Sequence, residues 1–469
     1  MRFGTKIITL LFLSLCLVPL AESATYNASS CAVVDITIAM NSATTGDTVT
    51  VPSGSCNWSG SAPTMKSVAL KGNGVDKTII TDPGFSIAVN NWTVTGFTFQ
   101  YSATATAFNI GTNPSTGWAI NGNSFLGYPA GMVMITGSAS GTPSGVFSNN
   151  FVTCGNNSDA LIYVNGDFGG GSSLWANPSY FGQAGHFVFI EDNEFQCAAT
   201  STSCAHAVMS QWGGSYVFRC NLVDDQTDTQ STSWQNPVDA HNYGLGSSTP
   251  GSTMMRASKE VEIYGNKFIP RGLAPNGDYP FDAIWIRGGA ARIFNNVWDE
   301  TSSSFRYYSG GAIFFREYRA STAGTYMQYP SNTTNCASTS SGFCTDTNGV
   351  CCSIHEGYPC CDEIGRGQDG YAGGRQQSIP VYLWNNKTTT GNNVTVAQDT
   401  STTYETTVLQ AGRDYIVNAG EPNGYIPYTY PHPSRNLGAA TTCLADSNSA
   451  AKTGILFTTV GRLGAPILH

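Results

Sequence analysis

One phrase of apolar and polar positions recurs seven times along this chain: an apolar residue, two spacers, Asn, one spacer and a second apolar residue. The copies centre on Asn123, Asn150, Asn193, Asn221, Asn266, Asn296 and Asn386. Three residues before them lie Ile120, Phe147, Ile190, Phe218, Ile263, Ile293 and Leu383. Two residues after them lie Phe125, Val152, Phe195, Val223, Phe268 and Trp298, and Thr388 breaks the last copy. A unit this short buries its apolar face only by stacking on its neighbours, so the repeat predicts an all-β solenoid. Successive Asn residues are 27, 43, 28, 45, 30 and 90 positions apart. The short spacings fit one coil of a parallel β-helix. The long ones are coils carrying excursions, where a solenoid commonly holds its function. The Asn side chains are expected to turn inward and hydrogen-bond from coil to coil, a structural role.

A second strand precedes several copies: AVMSQW (207–212), TMMRAS (253–258), AIWIRG (283–288) and AIFFRE (312–317). Strand side chains alternate between faces. With Ile284, Ile286, Ile313 and Phe315 inward, one outer column holds Gln211, Arg256, Arg287 and Arg316. Beside it run Met209, Met254, Trp285 and Phe314. Coils about 4.8 Å apart would stack the arginines beside an aromatic strip. Arg grips carboxylates in bidentate fashion and stays charged, and Trp285 and Phe314 offer flat faces for sugar rings, so the column reads as a groove for an acidic sugar chain. The alternative is a salt-bridged structural face, because stacked like charges repel unless carboxylates such as Glu317, Asp282 or Glu262 lie between them.

The other outward column, two residues before each Asn, reads Asn121, Ser148, Glu191, Arg219, Tyr264, Phe294 and Trp384. Glu191 and Arg219 fall on successive coils and are expected to form an ion pair with no chemical role. An acidic excursion spans residues 224–251 and contains Asp224, Asp225, Asp228, Asp239 and His241. Asp224, Asp225 and Asp239 are candidate ligands for Ca2+, a hard cation that takes oxygen donors. Alternatively, two carboxylates from this loop and Asp278 or Asp282 could be the acid and base of a glycoside hydrolase. His241, with Asp239 two residues earlier, is a candidate oriented proton-transfer group. The bland reading is a solvated acidic loop. His206 begins the Gln211 strand and is a candidate substrate contact, while His186 and His432 read as structural.

Composition narrows the class. Only 11% of residues are charged, against about 25% in an ordinary globular chain. Many Gly, Ser, Thr and Asn residues suit corners and turns. The net charge of −9 argues against a general nucleic-acid partner. Arg2 and Lys6, an apolar run from Ile7 to Leu20 and small residues at Ala21 and Ser23 read as a secretory signal, leaving 446 mature residues. Export to an extracellular or periplasmic setting follows as an expectation, with no later membrane span. Beyond Cys16 there are 13 cysteines, six of them crowded between Cys336 and Cys361. Disulfides are favoured over zinc there, with the pairing undetermined. Cys31 with Cys56 and Cys197 with Cys204 are plausible short loops.

Near the mature N-terminus, an amphipathic segment (Val33 to Met40) precedes a turn at Thr45-Gly46-Asp47 and a strand from Thr48 to Val51, as befits a cap on an open solenoid end. GDTVTVPSG followed by VALKGNG and the Asn-centred coils resembles right-handed parallel β-helix proteins of the pectate-lyase-like superfamily, over roughly residues 30 to 390. LQAGRDY (409–415) and YIPYTYPHP (425–433) resemble C-terminal segments of secreted bacterial β-helix proteins. The expected organisation is a signal (1–23), a capped β-helix (24–325), a Cys-rich excursion (326–378), and a returning coil with a loop-rich tail (379–469) packed along the side of the helix or over its end.

The leading functional expectation is a lyase cleaving a uronate-containing polysaccharide. The resemblance implies Ca2+ and Arg or Lys in such a reaction, with Arg256, Arg287 and Arg316 as candidates. The WIDH and RxPxxRxG phrases of pectate lyases are absent. So is the polygalacturonase set, apart from Asp224-Asp225. A glycoside hydrolase and a non-catalytic carbohydrate-binding or structural rod remain the alternatives.

Overall fold

The computed structural model describes residues 23–103, 106–111, 115–137, 143–155, 159–166, 177–197, 204–211, 213–225, 234–241, 258–270, 282–300, 310–316, 364–367, 377–400, 409–418, 420–435 and 443. The signal segment, the six crowded cysteines, Arg256, Asp228, Asp278 and Glu317 lie outside them. The chain is a right-handed parallel β-helix, the hand expected for crossovers between parallel strands. Among the described residues its three long sheets hold 12, 10 and 9 strands, each pairing in parallel with the coil before and after. One coil runs from the third sheet (Ile284–Ile286) to the first (Ala290–Phe294), turns at the Asn corner, and continues into the second (Val297–Trp298).

The repeated phrase is the corner itself. Ile120, Phe147, Ile190, Phe218, Ile263, Ile293 and Leu383 stand in register along the first sheet and are buried. The residue before each Asn adopts a left-handed backbone, as at Asn149 (φ 50°), Asp192 (55°), Cys220 (58°) and Asn295 (54°). Gly or a short polar side chain tolerates that conformation best, which explains the dipeptides at these corners. Each Asn then does double work. Asn221 Nδ2 donates to Ile190 O of the preceding coil at 2.9 Å, while its Oδ1 accepts the Asn193 backbone N–H at 3.0 Å. The amides also bond one another, from Asn123 to Asn150 and onward to Asn386.

An α-helix, Val33–Ser42, covers the N-terminal end and buries Ile36, Ala39 and Met40. At the far end, Val381–Trp384 pairs with the Ala290–Phe294 strand, so the chain rejoins the solenoid after the long excursion. The tail lies along the outer face of the first sheet. Glu191 and Arg219 make the cross-coil ion pair at 2.6 Å, with both side chains fully buried. Arg219 Nη1 and Nη2 donate to Tyr428 O (2.7 Å) and Thr429 O (3.0 Å), and His432 N donates to Glu191 Oε1 at 2.9 Å. Arg435 reaches Asp192, and Tyr430 Oη donates to the same carboxylate at 2.6 Å.

Disulfides join Cys31 to Cys56, Cys197 to Cys204 and Cys220 to Cys443. The third, not anticipated from the sequence, ties a corner residue to the tail. Among the described residues Cys154 is the cysteine outside a disulfide. No described helix is long and apolar enough to cross a membrane.

Candidate functional site

The outer face of the third sheet gathers the candidate residues, with one change of register. The neighbour of the Ile284–Ile286 strand is Val238–Ala240, which pairs with His206–Gln211 on its other side, and residues 253–257 of TMMRAS lie outside the described residues. The nearer outer column therefore runs Tyr163, Met209, Asp239, Trp285 and Phe314. The farther one runs through strand ends: Asn165 opposite Gln211, then His241, Arg287 and Arg316. Their backbone N–H groups donate to Ser210 O (2.9 Å, from His241), Ala240 O (2.9 Å, from Arg287) and Ile286 O (3.1 Å, from Arg316). His241 stands where the sequence reading put Arg256. Arg287 and Arg316 do occupy adjacent coils on one face.

Gly289 positions the turn that follows Arg287. It adopts φ +73°, and a Cβ there would stand 2.3 Å from Ser258 O, so a side chain is excluded on both counts. At the start of the Gln211 strand, Ala207 N and Val208 N both donate to Pro237 O, at 2.9 and 3.0 Å. This local irregularity leaves His206 on the side of Asp239.

Asp239 is the centre of the cluster and is fully buried. Arg287 Nε donates to its Oδ1 at 3.0 Å, and Arg287 Nη2 donates to Oδ2. His241 Nδ1 donates to Oδ2 at 3.0 Å, and His206 Nε2 stands 3.8 Å from the same oxygen. His206 Nδ1 donates to Asn236 O at 2.6 Å. Trp285 Nε1 donates to Asp282 Oδ2 at 2.7 Å, and the Arg287 and Arg316 guanidinium groups lie 4.9 and 5.8 Å from its ring centre. Arg316 pairs with Asp399 at 3.0 Å.

Asp239 and Asp399 pair with the two arginines, as the salt-bridged alternative requires of some carboxylate, while Glu317 lies outside the described residues. Glu262 belongs to the first sheet, where it accepts from Gly182 N and Tyr425 Oη. Asp399 and Asn165 were missed by the sequence reading. Asn165 carried a signal, since ALIYVN alternates as AVMSQ does.

Burial alone would raise the Asp239 carboxyl; Arg287, His241 and His206 together outweigh it and hold it well below the usual range. Burial, then Arg287, pushes His241 down to about 4 against the pull of Asp239. His206 is lowered for the same two reasons. At neutral pH the cluster therefore holds an ionised carboxylate, a guanidinium and neutral imidazoles. The rim admits solvent, with 12% of the His241 side chain and 27% of the Arg316 side chain exposed.

The proposed Ca2+ ligands do not converge. Asp224 ends a strand of the second sheet, Asp225 Oδ1 accepts Trp234 N at 2.9 Å, and both Asp239 oxygens accept hydrogen bonds. Among the described residues no group of three or more His, Cys, Asp or Glu is arranged to hold a metal. Asp224, Asp225 and Asp239 therefore do not form a calcium site together.

A second set of buried carboxyls docks loops on the first sheet. Glu260 Oε1 accepts Asn177 N at 3.1 Å, and burial pushes that carboxyl up to about 8. Glu262 is likewise raised by burial. His432 under the tail is pushed down to about 4, chiefly by burial. These groups set a pH profile. As pH falls from 6.5, the unfolded histidines take protons that folded His206, His241 and His432 refuse, so stability falls toward pH 4. As pH rises from 4.5 to about 8, the unfolded carboxyl loses the proton that folded Glu260 retains, so stability falls with rising pH. His186, lowered by burial as well, adds to the histidine side below 6.5, and well above it the two carboxyls act alone. Thermal melts should give a maximum near pH 6.5. A melting temperature that climbs steadily to pH 8 would contradict these assignments.

Comparison of the chain with family models, curated proteins and solved structures finds no match, so the fold and the site geometry carry the functional reading.

Proposed function

We propose that this chain is a secreted polysaccharide-active enzyme of the pectate-lyase-like type, a lyase that cleaves a uronate-containing polysaccharide by β-elimination. The observation that carries this reading is a neutral His241, tied through Nδ1 to an ionised Asp239, in one column with Arg287 and Arg316 on successive coils. The Nδ1–H bond leaves Nε2 as the basic nitrogen of the ring. Elimination needs a base for the proton beside the uronate carboxylate and a cation to acidify that proton. His241 Nε2 is the base, and Asp239 stabilises the imidazolium that forms, as the orienting carboxylate does in other Asp–His pairs. Arg316, the more exposed arginine, exchanges its contact with Asp399 for one with the substrate carboxylate and neutralises it. Arg287 instead holds Asp239. The C–H electron pair becomes the ring double bond, the glycosidic C–O bond breaks toward its oxygen, water protonates that oxygen, and the hydroxide so formed takes the proton held on His241. Trp285 sits under both arginines and stiffens them.

Export is supported by the N-terminal signal pattern and by the disulfides. A hydrolase using Asp239 as general acid is disfavoured, because that carboxyl stays ionised. The rod reading keeps one supporting observation, the deep burial of the Asp239–Arg287 pair.

The test follows the ultraviolet absorbance of the unsaturated uronate, with reducing ends measured in parallel, over a panel of acidic polysaccharides. His241→Gln should lower the elimination rate by about 10²–10⁴-fold with the fold intact. Reducing ends without absorbance would establish hydrolysis. Binding without either product would establish the rod.

A further inference from the structure

The column that holds His241 and the arginines continues toward the N-terminal coils as Gln211, Asn165 and Thr136. Asn165 and Gln211 are 2% and 3% exposed, yet Asn165 Oδ1 and Gln211 Oε1 have no hydrogen-bond partner among the described residues. The contrast with the corner ladder is direct. There, stacked amides on successive coils bond each other at every step. Here, two amides face each other across one coil step and do not. A buried acceptor left unpaired costs about 1–3 kcal/mol, so such a pair asks for donors from outside the chain.

We propose that Asn165 and Gln211 form a subsite that takes the hydroxyl or amide N–H groups of an uncharged sugar adjoining the uronate. The substrate is then a heteropolymer of uronate and neutral or N-acylated sugar, not a homopolyuronate. This rests on the lyase reading of the same face. The charge along the column supports it. Arg287 and Arg316 mark the C-terminal half, whereas Thr136, Asn165 and Gln211 are all neutral. Two amide oxygens repel a carboxylate, and the column offers it no cation on those coils among the described residues. The coil spacing of about 4.8 Å is comparable with one pyranose repeat, so neighbouring sugars of one chain meet neighbouring coils.

Initial elimination rates would be compared for a homopolyuronate and for an unsulfated alternating uronate–N-acetylhexosamine polymer, at equal chain length and ionic strength. The wild type should favour the alternating polymer by at least about 10-fold in kcat/KM, and Gln211→Leu should remove about 10-fold through KM on that polymer alone. Gln211→Lys should shift the preference toward the homopolymer. Because the Gln211 oxygen has no partner among the described residues, Gln211→Leu should not lower the melting temperature, whereas a structural amide would. Equal rates on both polymers, or a Gln211→Leu variant that loses stability and keeps its selectivity, would overturn the subsite. If neither polymer yields unsaturated product, the lyase reading fails. Calorimetric binding of the matching oligosaccharides then decides the subsite, with equal affinity of wild type and an Asn165→Ala/Gln211→Leu variant counting against it.

Discussion

Asn221→Ala is expected to cost about 3–5 kcal/mol of folding stability, well above the usual effect of one substitution. The side chain makes four contacts at the corner. It donates to Ile190 O (2.9 Å) and to Asn266 Oδ1 (3.1 Å), and it accepts from Asn193 N and Asn193 Nδ2, both at 3.0 Å. Alanine leaves the Asn193 amide groups buried without that acceptor and opens a void in the ladder. Asn221→Asp should be no better, since a carboxylate cannot donate to Ile190 O and would face the Asn266 oxygen. The same change at Asn386, the last and more exposed rung, should cost less. Urea titration followed by circular dichroism measures the difference. A loss under about 1 kcal/mol for Asn221→Ala would show that the ladder is not what holds the coils in stack.

Arg219→Met should be equally severe, at about 3–5 kcal/mol, for a different reason. It strands Glu191, a fully buried carboxylate, with the His432 N–H and Arg435 as its remaining partners. It also removes the two donors that hold Tyr428 O and Thr429 O. The tail should then loosen while the Cys220–Cys443 bond still tethers it, and limited proteolysis should cut within residues 420–435 faster than in the wild type. The double variant Arg219→Met/Glu191→Leu should recover much of the loss, because no unpaired charge is left behind. If both single variants melt like the wild type, the pair does not anchor the tail.

Much of the architecture was legible because two periodicities coincide. Strand alternation fixed which residues point inward, and the Asn corner fixed the phase from coil to coil, so the column from Asn121 to Trp384 could be listed before any coordinates. The site was legible only in part. TMMRAS has the alternation and the arginine that a coil of the third sheet should have, whereas Val238–Ala240 is short and follows a proline. Nothing local separates the two, and the choice depends on which segment finds its neighbours. Asp399 was hidden for a similar reason, lying beyond a long excursion in a stretch without clear period. The Cys220–Cys443 bond joins positions 223 apart, a pairing that no spacing rule can deliver.

The tail also changes the order in which the molecule can be finished. A solenoid ordinarily grows coil on neighbouring coil, each step needing only chain that has already emerged. Here Asn149, Glu191, Asp192 and Arg219 receive partners from residues 428–435, more than 200 positions later. The middle coils can therefore stack early, but their flank stays open and charged until the C-terminus arrives. A chain that stops short would keep its backbone winding and lack its closing seam, which makes completeness itself something a protease could read.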